Sequence, residues 1–288
     1  MPGLNPWCLA VAIAGIAPAA ADPALATAQA LYQARRLDEA QTAFRQLAAE
    51  HPRNAELIYF LGKIAIRQSD YTTATELLEQ AVALDPKQSD HYLWLGNAYA
   101  WTAATVPFTH KAAPGRSCLA AYRKALELNP GNLAAHFSLM NFYRHVPAFL
   151  GGGIKLARHE AGAIRQRDPA LGALADAVLD LDEGKCDEAY ATLSGILRKS
   201  PDDYAANCTL GRLALATRTN LVEGAAAFRR CLDLSPSEND EGHEYAQWGL
   251  GQIFECKHEA PAAFRAYEIC LRINPRFKPA EEALVRLQ

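Results

Sequence analysis

The residues best suited to binding a metal ion lie near the carboxyl end of the chain. His243, Cys256 and His258 carry imidazole and thiol groups, which are ligands that zinc prefers. His243 and Cys256 lie at the two ends of a predicted helix, and thirteen residues of helix rise roughly 20 Å. One zinc ion cannot bridge that distance, and the remaining two ligands do not complete a structural site. The spacing therefore predicts no metal site.

Nucleophilic catalysis has no recognisable motif in this sequence. The Gly-x-Ser-x-Gly turn of hydrolases does not occur, and no cysteine lies in a context typical of a Cys/His nucleophile. Acidic pairs such as Glu281-Glu282 and Asp202-Asp203 fall in predicted caps and turns, where charged side chains are usually solvated. We therefore predict no catalytic residues, no cofactor and no enzymatic activity.

An internal repeat organises the chain and must position any residues that bind a partner. Seven segments each end in a proline, which cannot donate the next helical hydrogen bond and disfavours helix before it. Successive prolines are 32 to 44 residues apart, a spacing typical of arrays of helical hairpins. The seven are Pro52, Pro86, Pro130, Pro169, Pro201, Pro236 and Pro275.

Two further patterns recur at fixed offsets from these prolines. A small, a large and a small residue follow one another at spacings of four and three, which places them on one helical face. The last unit shows this as Ala263, Tyr267 and Cys270. A Leu-Gly pair lies on the preceding helix, so that the two backbones can approach closely. The clearest pairs are Leu61-Gly62, Leu95-Gly96 and Leu250-Gly251.

These features resemble the tetratricopeptide repeat, a unit of about 34 residues with a Leu-Gly pair, a central aromatic and a closing proline. The resemblance covers roughly residues 22–275. It implies an all-α superhelical solenoid of about seven helical hairpins, because each hairpin exposes an apolar face that only a neighbour can cover. The units would end near residues 52, 86, 130, 169, 201, 236 and 275. Residues 276–288 are predicted to form a capping helix.

Two units carry insertions between their helices. Unit three has about ten extra residues around 102–117, and unit four has about five around 144–155. The second insertion, with Pro147, Phe149 and the glycines at 151–153, resembles a turn found in a group of exported bacterial tetratricopeptide proteins of undefined role. Functional loops are often inserted on rigid scaffolds, so both segments are candidate binding elements.

The resemblance also implies a concave binding surface formed by the first helix of each unit. Position 9 of that helix faces inward in the family, and most residues there are amides or cations that can donate hydrogen bonds to carbonyls or a carboxylate. In chain order they are Gln29, Lys63, Asn97, Asn141, Val178, Arg212 and Gln252.

Apolar residues accompany this column at neighbouring inward offsets. Aromatic side chains rimmed by donors are typical of binding hot spots. The alternative is that these side chains cover neighbouring helices within the stack. They are Tyr59, Leu93, Trp101, Phe137 and Trp248.

Six cysteines follow residue 21, an even number that permits disulfides in an exported protein. Cys208 and Cys231 are the best candidate pair. They lie near the start of the first helix and the end of the second helix of unit six, and antiparallel packing brings those ends together. The alternative is that the cysteines are free and pack as small apolar residues.

The amino terminus resembles a secretion signal. Residues 9–17 form an uncharged apolar stretch too short to span a bilayer, and Ala19-Ala20-Ala21 suits cleavage by signal peptidase after Ala21. We therefore expect a signal peptide at 1–21 and an exported, periplasmic protein without a transmembrane anchor. The alternative is an apolar cap on the first helix of a cytoplasmic protein.

Charge and repeat together favour a protein-binding scaffold. The net charge of −3 and the pI near 6.2 argue against nucleic acid as a partner. We expect a non-enzymatic scaffold that holds a protein or peptide in its concave groove. A structural or self-assembling solenoid is the second hypothesis. An enzyme or carbohydrate-binding protein is the third, and it predicts a closed pocket beneath residues 102–117 and 144–155.

Overall fold

The protein is a stack of paired antiparallel helices that follow one another in chain order. The computed structural model describes residues 22–237, 240 and 242–287, so the expected signal peptide lies outside the described residues. Fourteen of the fifteen described α-helices pair into seven hairpins, and the fifteenth covers the open end of the last hairpin. The predicted solenoid with a C-terminal capping helix is therefore confirmed.

The hairpins have helices of similar length, except in unit three. The fifteen helices are α1 (Pro23–Gln33), α2 (Leu37–Glu50), α3 (Ala55–Arg67), α4 (Tyr71–Leu84), α5 (Ser89–Thr105), α6 (Ala112–Leu128), α7 (Leu133–His145), α8 (Ile154–Arg167), α9 (Pro169–Asp182), α10 (Cys186–Lys199), α11 (Tyr204–Thr217), α12 (Leu221–Asp233), α13 (His243–Cys256), α14 (Ala260–Ile273) and α15 (Lys278–Leu287).

Short polar side chains define where many of the first helices begin. Asn54, Asn132 and Asp203 each accept a hydrogen bond from a backbone N–H in the first turn of the helix that follows. Such a cap satisfies a donor that the helix itself leaves without a partner. Unit four ends differently, because Pro169 is the first residue of α9, and Asp168 caps that helix directly. This proline opens a helix instead of occupying a turn.

The two helices of a hairpin touch where a glycine of the first helix meets a ring of the second. A Cβ atom added to Gly251 would lie 2.3 Å from Cε1 of Tyr267, and one added to Gly96 would lie 2.4 Å from Cε1 of Tyr122. Both rings are buried, and the Tyr267 hydroxyl donates to a carboxylate oxygen of Glu255. Glycine is therefore required for the close approach of these backbones.

The insertion of unit three differs from the expected loop. It lengthens α5 and α6 to seventeen residues each, and only residues 106–111 separate the two helices. A short 3-10 turn, Phe108–His110, lies in this connection. The extra residues therefore extend the helical hairpin beyond its neighbours.

The insertion of unit four is a tight turn that carries apolar side chains outward. The N–H of Gly153 donates to the carbonyl of Tyr143 at 2.7 Å, and a Cβ on Gly152 would lie 2.0 Å from the carbonyl oxygen of Val146. This fixed turn holds Phe149 84% exposed and Leu150 53% exposed. Large apolar side chains with such exposure are candidates for contact with another surface.

The glycine contacts give a direct test of the packing. We expect Gly251→Ala to destabilise the protein by about 1–3 kcal/mol, because the new methyl group overlaps the buried Tyr267 ring. Gly162→Ala in α8 is the matched control, since nothing lies within 4 Å of its added Cβ. There we expect a gain of about 0.5–1 kcal/mol from helix propensity. Chemical unfolding of both variants measures the difference, and equal effects would contradict the close-contact interpretation.

Candidate binding cavity

The two ends of the superhelix approach each other, so its inner surface forms a deep cavity that is partly open to solvent. Arg35, after α1, donates to the backbone carbonyl of Ser237 at 3.3 Å. Arg276, before α15, donates to the carbonyl of Gln68 at 3.4 Å. We call these two hydrogen bonds the latch. The cavity has a volume of about 1370 Å³.

Aromatic side chains from both halves of the stack line the cavity. The Trp101 ring lies parallel to the Tyr71 ring, with their centroids 5.5 Å apart. On its other side, its centroid is 6.4 Å from that of Tyr245, which belongs to unit seven. The aromatic residues in the wall are Tyr71, Trp94, Trp101, Phe137, Tyr204, Tyr245 and Phe277.

Charged groups of both signs complete the wall. Arg67, Arg144 and Arg212 come from α3, α7 and α11, the first helices of units two, four and six. Most of the acidic residues come from the carboxyl-terminal side, and the four there are Asp240, Glu244, Glu281 and Glu282. The wall therefore carries arginines on the first helices of three units and charges of both signs towards the carboxyl-terminal side.

Half of the binding residues expected from the sequence line this cavity. Asn97 accepts a hydrogen bond from the Tyr122 hydroxyl at 2.8 Å, and Asn141 accepts one from Arg144 at 3.1 Å. With their oxygens engaged, both amides present N–H groups as the atoms able to donate to a ligand. The expected residues in the wall are Asn97, Trp101, Phe137, Asn141 and Arg212, and Val178 of the position 9 column also lines it.

Lys63 was expected to donate hydrogen bonds from the concave surface, but its side chain is buried within the stack. It is 2% exposed, and its Nζ atom lies 4.5 to 5.0 Å from the ring centroids of Tyr32, Tyr59, Phe60 and Trp94. Burial lowers the pKa of Lys63 to about 7, and the neighbouring Arg67 acts in the same direction. An ammonium over aromatic faces is held by cation–π attraction. Lys63 is therefore a packing residue of units one to three.

Four other expected residues also lie outside the cavity wall. Tyr59 is buried with its ring 4.7 Å from that of His91, and Leu93 is buried in the core of units two and three. The Trp248 ring packs edge-on against Phe277, 6.0 Å away between centroids. Gln252 is not among the lining residues. Tyr59, Leu93 and Trp248 therefore pack between neighbouring helices, the alternative that the sequence left open for the apolar residues.

Two arginines of the wall were not expected from the sequence. Arg67 lies four residues after Lys63, and Arg144 lies three residues after Asn141, so each follows the expected column by one helical turn. Arg144 forms a bidentate ion pair with Asp182 of α9, with Nη2 and Oδ1 2.6 Å apart. Reading the column one turn further along each first helix would have found both residues.

Both insertions contribute to the cavity wall only through their first residues. The wall includes Thr102 and residues 104–106 at the end of α5, and Arg144 at the end of α7. The described residues in 107–117 and 145–155 do not line it. Most of the wall therefore comes from the helices of the stack and not from the insertions.

The candidate metal ligands are separated in the structure. His243 contacts the backbone carbonyl of Leu234 through Nε2 at 2.7 Å, at the opposite end of α13 from Cys256. Among the described residues there is no group of three or more His, Cys, Asp or Glu side chains able to hold a metal ion. None of the described helices is long and apolar enough to cross a membrane.

A comparison with protein families agrees with the repeat found in the sequence. A family model described as tetratricopeptide repeat matches residues 25–89, 59–100 and 173–239. No curated protein sequence matches the chain significantly. These matches fall on units one to three and on units five and six.

Solved structures with the same fold cover most of the chain. A thermophilic TPR protein from Thermus thermophilus, TTC0263, is 24% identical, with 68% of this chain and 97% of that one aligned at a TM-score of 0.58. A tetratricopeptide repeat protein from Parabacteroides merdae is 15% identical, with 92% and 96% aligned at 0.60. Cut9, from the Cut9–Hcn1 hetero-tetramer of the APC/C, is 14% identical, with 92% and 48% aligned at 0.58.

The burial of Lys63 predicts an unusual dependence of stability on pH. An unfolded lysine stays protonated up to about pH 10.4, whereas the folded group loses its proton near pH 7. Between these values the unfolded state binds more protons, so stability rises with pH, by up to about 1.4 kcal/mol per unit. We expect this rise from pH 7 to pH 9, and we expect Lys63→Met to abolish it.

Lys124→Met is the control, because Lys124 is a surface residue paired with Glu127 at 2.7 Å. Its removal leaves the burial of Lys63 unchanged. Chemical unfolding at several pH values gives both profiles. If the stability of wild type and of Lys63→Met rises equally with pH, Lys63 is not the group that causes the rise.

Proposed function

Because the chain belongs to the tetratricopeptide repeat family, we propose that it is a non-enzymatic scaffold that binds a protein or peptide partner in its inner cavity. The observation that carries the proposal is the composition of the cavity wall. Aromatic rings and amide and guanidinium donors project from rigid helices into one enclosed space. Interfaces concentrate their binding energy on such aromatic and arginine side chains.

The donors suit the backbone of an extended peptide. Asn97 and Asn141 lie on α5 and α7, the first helices of adjacent units, and Arg212 lies on α11. Packed helices are about 8–10 Å apart, a distance that an extended chain covers in about three residues. Asn97 and Asn141 can therefore reach carbonyl groups about three residues apart on one strand, and Arg212 can reach one further along, while Trp101 and Phe137 contact its side chains.

The size of the cavity also favours a peptide over a small molecule. Its volume of about 1370 Å³ exceeds the range of about 300–1,000 Å³ typical of small-molecule sites. The latch consists of two exposed hydrogen bonds to backbone carbonyls, each worth about 1 kcal/mol. The Trp101 and Tyr245 rings, whose centroids are 6.4 Å apart, also join the two ends. A peptide that enters between the ends has to separate only these few contacts.

A structural neighbour supports a role in assembly. Cut9, which shares this fold over about half its own length, is part of a hetero-tetramer with Hcn1. In our proposal this chain likewise acts by holding another polypeptide. Its place of action is the bacterial cell envelope, as the amino-terminal sequence suggests.

Self-assembly is the second candidate, and the turn of unit four favours it. Phe149 and Leu150 are exposed on a turn whose glycines fix its shape. A homotypic contact would cover these side chains. Light scattering over a range of concentrations tests this candidate, and a monomer at every concentration would exclude it.

Photo-crosslinking from inside the cavity tests the main proposal. We replace Phe137 with p-benzoylphenylalanine, an aromatic residue of related shape, in the native host. We expect it to capture a partner polypeptide, because Phe137 lines the cavity. The same residue at Val222, which is exposed on α12 outside the cavity wall, is the matched control.

The donors are then tested together. We expect Asn97→Ala/Asn141→Ala/Arg212→Ala to weaken binding of the captured partner by about 100-fold or more, since three hydrogen bonds of about 1 kcal/mol or more each are lost. Gln252→Ala, which lies outside the wall, should bind as wild type does. Equal capture from Phe137 and Val222, or equal affinity of the triple variant, would rule out the cavity as the binding site.

A further inference from the structure

Two buried cysteines face each other across the hairpin of unit six. Cys208 lies on α11 and Cys231 on α12, and their Sγ atoms are 2.8 Å apart. Unbonded sulfur atoms do not ordinarily approach so closely, whereas a disulfide bond joins them at about 2.05 Å. Both side chains are buried, so the contact is not one between mobile surface groups.

The packing of unit six brings α11 and α12 close together beside the two cysteines. A Cβ on Gly211 would lie 2.6 Å from Cε2 of Phe228, so this ring and this glycine set the distance between α11 and α12. Cys208 lies three residues before Gly211, and Cys231 lies three residues after Phe228. Because the helices are antiparallel, both cysteines fall one turn away on the same side of this contact. A disulfide requires such close and facing Cβ atoms.

Unit seven has a cysteine at the position that corresponds to Cys231, but none at the position that corresponds to Cys208. Cys270 lies three residues after Tyr267, as Cys231 does after Phe228, and its thiol contacts the backbone carbonyl of Glu244 at 3.2 Å. Trp248 takes the place of Cys208, three residues before the glycine of its helix. A small residue on the second helix therefore belongs to the repeat, whereas the facing cysteine is particular to unit six.

We propose that Cys208 and Cys231 form a disulfide bond in the native protein. Its formation removes two protons and two electrons from the thiols, and a small disulfide of the surroundings accepts them and becomes two thiols. Cys208 is a residue of the cavity wall, so the cavity is the side from which such a disulfide approaches its largely buried thiol. Cys231 then displaces the second thiol from the mixed disulfide and completes the bond.

The bond would stabilise the wall of the cavity. It closes a segment that runs from Cys208 to Cys231 and contains the wall residues Thr209 and Arg212. Cross-linking such a segment restricts the unfolded chain more than the folded one. This inference is independent of the identity of any ligand, and it also holds if the cavity binds none.

Thiol counting under denaturing conditions tests the proposal. The full chain is equilibrated in oxidised and reduced glutathione, unfolded, alkylated with or without prior reduction, and weighed by mass spectrometry. We expect two additional alkyl groups after reduction, and a peptide linking residues 208 and 231 in the digest of the unreduced sample. Complete alkylation without reduction, or a linked peptide with another cysteine, would overturn the proposal.

Variants separate the bond from simple packing. Reduction should lower the melting temperature of the wild type by about 5–10 °C. This difference should vanish in Cys208→Ala and in Cys231→Ala but persist in Cys270→Ala, which loses an equivalent buried thiol. Because each variant is compared with itself before and after reduction, any loss of packing cancels. Persistence of the difference in Cys231→Ala would also contradict the bond.

Discussion

The contact between a glycine and a buried ring determines how closely the helices of a hairpin approach, and other features of the stack depend on it. Tyr122 meets Gly96, Phe228 meets Gly211, and Tyr267 meets Gly251 in the same way. With the helices so close, each hairpin presents a continuous apolar face to the next one. The Tyr122 hydroxyl also reaches Asn97 and orients its amide on the concave side. The same interaction thus builds the core and positions a residue of the cavity.

Curvature turns this local packing into an enclosed space. Each hairpin is rotated slightly relative to the one before it, and the rotations accumulate along a solenoid. Over seven hairpins they bring Arg35 to Ser237 and Arg276 to Gln68. The aromatic wall then combines rings from distant units, such as Trp101 of unit three and Tyr245 of unit seven. No single repeat contains the cavity.

The sequence predicted the repeat and the fold, because prolines, Leu-Gly pairs and helical periodicity act locally. It did not predict the closure, which depends on a sum of small rotations that no motif encodes. Lys63 occupies a regular position of α3, yet rings from α1 and α5, together with two rings of α3 itself, bury it. Most residues of the insertion in unit three are helical, because they extend α5 and α6. Only half of the expected binding residues line the cavity, because a side chain that points inward can still be covered by neighbouring helices.

The latch has a kinetic consequence for any chain that lies inside the ring. Where the two ends of the stack meet, a segment cannot leave sideways, so it must slide out through the open part of the cavity or wait until the ends separate. Its residence time then depends in part on how often the hydrogen bonds to the carbonyls of Ser237 and Gln68 and the contact between Trp101 and Tyr245 break together. The time for which a chain stays bound then does not depend only on the energy of its contacts with the cavity. Residues that never touch the bound chain can lengthen or shorten that time.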